Sequence, residues 1–152
     1  MQVKKSILIA DDDKGVLRVL RIILEKEGYE VDTAETGKEF LQKAEARYYN
    51  LALLDIKLPD MDGTELLSAM RQRSPKTVKI MLTGYPSFEN SIKSLNLGAD
   101  AYLVKPIKPD DLLQLVRKKL GEQEGAEAMT QEKMDQLIEM RLLKLEQAYE
   151  TK

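Results

Sequence analysis

Four short apolar stretches of this chain each end in a polar group able to do chemistry. Asp11, Asp12 and Asp13 follow Ile7-Leu8-Ile9-Ala10, and Asp55 follows Leu51-Ala52-Leu53-Leu54. Thr83 follows Val78-Lys79-Ile80-Met81-Leu82, and Lys105 follows Ala101-Tyr102-Leu103-Val104. Carboxylates, a hydroxyl and an ammonium are the groups that hold Mg²⁺ and a phosphoryl group. Mg²⁺ takes hard oxygen ligands, and the charge on a transferring phosphoryl group is met by cations and hydrogen-bond donors. On that chemistry Asp12 and Asp55 are the direct carboxylate ligands and Asp11 acts through water. On that reading Asp55 would receive the phosphoryl group, Lys105 would stabilise its charge, and Thr83 would donate a hydrogen bond to it. Gly84 leaves room for the donor. Asp13 reads as the cap of the helix that follows.

Taken singly these residues have plainer readings. Asp11-Asp12-Asp13 serves equally well as a helix start, because acids favour the positive end of the dipole. Thr83 is an ordinary strand-end residue, Lys105 a solvated lysine, and Tyr102 a packing aromatic. Asp55 resists such a reading, since a carboxylate closing an apolar strand is costly unless paired or at a rim. The joint occurrence at successive strand ends favours function. Asp60-Met61-Asp62-Gly63 looks like part of a calcium loop, but the register puts Leu58 at the first ligand position and Ala69 at the last. It reads as a turn.

These residues need elements that bring distant stretches to one rim. Apolar runs at 6–10, 51–54, 78–82 and 101–104 read as strands, and the alternating stretch 30–34 reads as a short, weaker one. Helical periodicity separates them at Lys14–Glu27, Lys38–Arg47, around Leu66-Leu67-Met70, at Phe88–Leu97 and from Pro109 to about Leu120. Gly28 and Gly98 mark helix stops, and Pro109 with Asp110-Asp111 marks a helix start. Five β/α units with apolar strands predict an α/β fold: a doubly wound five-stranded parallel sheet of flavodoxin-like order 2-1-3-4-5, followed by a C-terminal helical extension. In such sheets ligands bind at the carboxyl ends of the strands. The expected organisation is one domain over 1–120, a polar linker over 121–128 around Gly125, and an amphipathic helix over 129–152. The stripe of that helix is Ile138, Leu142, Leu145 and Tyr149, with Met134 extending it.

Composition narrows the function classes. The 152 residues carry a formal net charge of −2 and contain neither Cys nor His. Disulfides, thiolate catalysis, histidine bases and a phosphohistidine on this chain are thereby excluded. Without a basic excess, direct nucleic-acid binding is not expected. No apolar run reaches the ~18 residues of a membrane span, so no membrane partner and a cytoplasmic location are expected.

As a set, these segments resemble the response-regulator receiver domain over residues 5–120. The matching segments are Ile7 to Asp13, Leu53 to Gly63, Met81-Leu82-Thr83-Gly84-Tyr85 and Gly98 to Pro106. The resemblance implies a regulator of two-component signalling rather than an enzyme in the ordinary sense. Asp55 would accept phosphate from the phosphohistidine of a sensor histidine kinase or phosphotransfer protein, with Mg²⁺ as cofactor. The backbone carbonyl of Lys57 would complete the metal site, and Lys105–Pro106 would be cis. Thr83 and Tyr102 would act as the switch. Output would leave through the 88–120 face and the C-terminal helix, to a homodimer or a partner protein. Two rival readings remain. A haloacid-dehalogenase-type phosphohydrolase could use Asp11, Asp13, Thr83, Lys105 and Asp110-Asp111, but leaves Asp55 idle and needs a strand end at 110–111. A scaffold with a vestigial acidic site is the other.

Overall fold

Strands that carry apolar residues on both faces call for burial in a parallel sheet between two helical layers. The computed structural model, which describes residues 3–84 and 97–150, has that arrangement. Strands β1 (Ser6–Ala10), β2 (Glu30–Ala34), β3 (Leu51–Asp55), β4 (Val78–Thr83) and β5 (Ala101–Val104) form one sheet. Every pairing is parallel, and the order is β2-β1-β3-β4-β5, as the sequence predicts. The described helices are α1 (Lys14–Lys26), α2 (Gly37–Ala46), α3 (Gly63–Arg73) and α4 (Pro109–Glu150). The helix expected over 88–97, and with it most of the fourth-helix part of the output face, lies outside the described residues.

Alternation along the strands splits the core in two. Ile7, Ile9, Leu51, Leu53, Ile80 and Leu82 pack against Leu17, Leu20 and Leu24 of α1 and Leu112, Val116 and Leu120 of α4. Leu8, Ala10, Ala52, Leu54 and Met81 face the other way, onto Phe40 of α2 and Leu66, Leu67 and Met70 of α3. A fully buried side chain of this size contributes about 1.5–3 kcal/mol. The strand ends are therefore fixed on both sides by apolar packing.

Lys79 interrupts the apolar run of β4 yet is only 2% exposed. Its ammonium donates to the carbonyls of Thr77 at 2.6 Å and Ser74 at 3.0 Å, closing the α3–β4 turn. Burial pushes its pKa below the usual lysine range.

The chain divides into two units, Met1–Leu120 and Gly121–Lys152. The stretch 121–128, expected as a linker, is helical within α4. Gly121 and Gly125 each cost about 1 kcal/mol relative to Ala in a helix. The residues around them (Glu122, Gln123, Glu124, Ala126, Glu127 and Ala128) are mostly strong helix formers, and no proline or capping residue intervenes. Asp110 and Asp111 lie in the first turn of α4, not at a strand end, so the phosphohydrolase arrangement does not form. Among the described residues no helix is long and apolar enough to cross a membrane.

Candidate metal and phosphoryl site

The sheet register brings the four strand ends together. Asp55 pairs with Leu82, one residue before Thr83, and Thr83 pairs with Val104, one residue before Lys105. The Lys105 amide donates to the Thr83 carbonyl at 2.6 Å, and the Lys105–Pro106 bond is cis. β1 lies beside β3, which sets Asp11 and Asp12 next to Asp55.

Each side chain is then held locally. Asp13 caps α1, accepting from the amides of Gly15 at 2.8 Å and Val16 at 3.2 Å. That turn lets the Asp13 amide donate to Asp11 Oδ1 at 2.9 Å. Asp11 Oδ2 accepts from Lys105 Nζ at 2.6 Å, and Asp55 Oδ2 accepts from the same ammonium at 3.2 Å. Asp55 Oδ1 accepts from the Lys57 amide at 3.2 Å. Asp11 is fully buried and Asp55 is 7% exposed, while Asp12 is exposed.

Carboxylate oxygens of Asp11, Asp12 and Asp55 lie within 4.8 Å of one another. Three carboxylates against one ammonium leave surplus negative charge, and an all-oxygen donor set suits a hard divalent cation such as Mg²⁺. The strain is electrostatic. Burial, and next the charge on Asp11, push the Asp55 carboxyl above its ordinary value, against the Lys57 amide and Lys105. Burial disfavours the Lys105 ammonium, but the hydrogen bond and charge of Asp11, followed by Asp55, outweigh it and raise its pKa.

Thr83 is buried at the end of β4. A Cβ added at Gly84, next to Thr83, would meet nothing within 4 Å among the described residues. Tyr102 packs against the core layer formed with α2 and α3. Its hydroxyl is buried without a hydrogen-bond partner among the described residues. Beside the site, Val16, Val19 and Leu20 of α1 face Lys105, Pro106 and Ile107 across a largely apolar groove of about 430 Å³.

Two supports of the site escaped the sequence reading. Asp60, taken there for a turn residue, accepts from the amides of Gly37 at 2.8 Å and Lys38 at 2.9 Å, tying the loop after β3 to the start of α2. Those two bonds hold its pKa below the usual range. Gly63, also read as a turn marker, is a close-approach position: a Cβ there would lie 2.2 Å from the Asp55 carbonyl oxygen and 2.7 Å from Ile56 Cα. Its amide donates to the Ile56 carbonyl at 2.6 Å. Gly63→Ala is therefore expected to cost about 3 kcal/mol by overpacking backbone against backbone, and to displace the Ile56–Lys57 segment. Urea denaturation checks this, and a loss below about 1 kcal/mol would show that the loop yields freely.

Comparison with known proteins places these features in context. A family model described as the response regulator receiver domain matches residues 7–117. The alkaline phosphatase synthesis transcriptional regulatory protein of Bacillus subtilis (strain 168) is 35% identical over 133 residues, which are 88% of this chain and 55% of that protein. The acid tolerance regulatory protein of Rhizobium meliloti (strain 1021) is 38% identical, over 78% of this chain and 61% of its own length. The chain thus spans little more than half the length of these relatives. A CheY-like receiver domain protein of Methanospirillum hungatei JF-1 superposes with a TM-score of 0.80 at 55% identity, covering 82% of this chain and 99% of that one. The expectation of no direct nucleic-acid binding gains no support here, because the Bacillus relative is a transcriptional regulatory protein.

Proposed function

The chain belongs to the response regulator receiver domain family, and on that premise we propose that it is a phosphorylation-controlled switch whose phosphoryl acceptor is Asp55. The observation that carries the reading is the cluster itself: Asp11, Asp12 and Asp55 within 4.8 Å, with the Lys105 ammonium on two of them. The donor is the phosphohistidine of a sensor histidine kinase or phosphotransfer protein. An Asp55 carboxylate oxygen forms a bond to phosphorus as the phosphorus–nitrogen bond breaks, and the imidazole nitrogen leaves with the electron pair. Lys105 meets the charge on the phosphoryl oxygens, and the Thr83 hydroxyl donates to one of them. Asp11, Asp12, Asp55 and the Lys57 carbonyl would hold Mg²⁺, which would supply further charge neutralisation.

A donor helix must bring its phosphohistidine to Asp55, so its contact surface has to adjoin the site. The groove between α1 and Pro106-Ile107 adjoins it, and Val19 and Ile22 of α1 are more than half exposed beside it. In the switch, Thr83 moves toward the phosphoryl group and Tyr102 turns into the space released. The Tyr102 hydroxyl, buried without a partner among the described residues, gains from any rearrangement that gives it one. Output is through protein contacts at the 88–120 face and the C-terminal helix.

Incubation with phosphoramidate tests the reading. Intact mass should rise by one phosphoryl group per chain in Mg²⁺ and remain unchanged in excess EDTA. No labelling in Mg²⁺, or equal labelling in EDTA, overturns it.

A further inference from the structure

Every residue of α4 from Glu124 to Glu150 is exposed. Among them Met134, Leu137, Ile138, Leu142, Leu145 and Tyr149 are each more than half exposed. At 3.6 residues per turn these six fall within an arc of about 140°. The charges around them are arranged unusually. None of the three bases from 124 to 150 (Lys133, Arg141 and Lys144) stands three or four residues from an acid. The helix therefore lacks the opposite-charge pairs by which exposed helices support themselves. A helix without such pairs and without a buried face is marginal in water.

The charges do make sense across an interface. With Ile138 and Leu145 at heptad position d, and Leu142 and Tyr149 at a, Glu132, Glu139 and Glu146 all fall at e, while Met134, Arg141 and Ala148 fall at g. In a parallel pair the e column of one helix faces the g column of the other. Arg141 then meets Glu146 of the second copy, five residues further along, and symmetry provides that contact twice. In an antiparallel pair e faces e and g faces g, which sets the glutamates against their own copies and Arg141 against Arg141. Bundles of more than two strands would bury the e column and desolvate its three glutamates.

We propose that the segment Met134–Tyr149 of α4 pairs in parallel with the same segment of a second copy of this chain. The seam spans two heptads, so the association is weak and concentration-dependent. It tethers the two preceding receiver units to each other, which raises the effective concentration of any contact between them. The inference does not depend on Asp55 chemistry, and its test is run without Mg²⁺ or a phosphodonor.

Sedimentation equilibrium of the full chain over a concentration series should show a reversible monomer–dimer equilibrium. Leu142→Glu should be monomeric across the same series with the melting of the receiver unit unchanged. Arg141→Glu should weaken the dimer about tenfold, and adding Glu146→Arg should restore it. The chain has no cysteine, so single cysteines report orientation directly. Under copper phenanthroline in air, Ile138→Cys alone and Tyr149→Cys alone should each form disulfide-linked dimers, whereas Lys133→Cys on the outer face should not. A monomer at every concentration, including one whose tail docks on its own receiver unit, overturns the proposal. So do a cross-link that forms only when the Ile138→Cys and Tyr149→Cys proteins are mixed, and a parallel assembly of more than two chains.

Discussion

Asp55→Asn is expected to abolish covalent labelling by a small phosphodonor and, in the same protein, to raise metal-free stability. The first effect follows from nucleophilicity, since an amide oxygen does not attack phosphorus at a useful rate. The second follows from the electrostatics of the site. Asp55 is 7% exposed, and burial together with Asp11 raises its native pKa above the ordinary value of 3.8. The native state therefore holds this proton more tightly than the unfolded chain does. The contribution of that proton to stability is complete below the unfolded value and is lost as pH rises through the native one. At neutral pH the ionised carboxylate is thus a net cost, and Asn removes it while Lys105 keeps its 2.6 Å partner Asp11. The gain should be on the order of 1 kcal/mol and should grow as pH rises across that window. Intact mass after labelling and urea denaturation in EDTA at several pH values check both halves. A variant that still labels, or that is less stable than the parent at neutral pH, contradicts the assignment.

The ends of β1, β3 and β5 were legible because their apolar runs lead without interruption to a polar residue, and β4 was legible despite Lys79. A run buried on both faces has one compatible environment, so the placing of Asp11, Asp55, Thr83 and Lys105 at strand ends followed from the position of each run, while the order 2-1-3-4-5 that brings them to one rim came from the known doubly wound arrangement. The cap role of Asp13 was also local, set by one residue and the two amides after it. Interactions across the fold were not visible in the same way. Asp60 bonds amides 23 and 22 residues upstream, and nothing in Asp60-Met61-Asp62-Gly63 distinguishes that from turn chemistry. Gly63 is required by the backbone of Asp55 and Ile56, not by its own turn. Lys79 sits in an apolar run as a buried cation because carbonyls of the preceding turn happen to converge on it.

The C-terminal helix shows the opposite error. Gly121, Gly125 and the polar residues around them read as a linker, because glycine is a poor helix residue and apolar periodicity is absent there. Propensity summed over the neighbours decided otherwise, and α4 continues without a break from Pro109 to Glu150. Apolar periodicity finds helices that pack. It is blind to a stretch such as 121–128, which is polar and carries no apolar stripe.

Lys105→Ala is expected to cost about 3 kcal/mol of metal-free stability, because it strands a fully buried carboxylate. In the native protein Asp11 is satisfied by the Asp13 amide and by the Lys105 ammonium at 2.6 Å. Removing the ammonium leaves Asp11 beside Asp55 with no cation between them. The loss should therefore shrink as pH falls and Asp55, whose carboxyl is already held above its ordinary value, takes up its proton. The parent protein has its own dependence in the alkaline range. Lys105 titrates above its ordinary 10.5, so its contribution is intact below that value and disappears as pH rises through the raised one. Mg²⁺ at a hundredfold excess over its dissociation constant should return about 2.7 kcal/mol to the variant, replacing one cation by another. Asp11→Asn added to Lys105→Ala should recover most of the loss without metal, since the stranded charge is then gone. Urea denaturation of the four proteins of this cycle in EDTA measures each term. If Lys105→Ala alone matches the parent, or if Asp11→Asn fails to rescue it, the ammonium is not what compensates the buried acids. Labelling separates the structural role from the chemical one. The double variant regains stability but still lacks a cation aimed at the phosphoryl group, so its transfer from phosphoramidate should stay slower than the parent's by about 10²-fold.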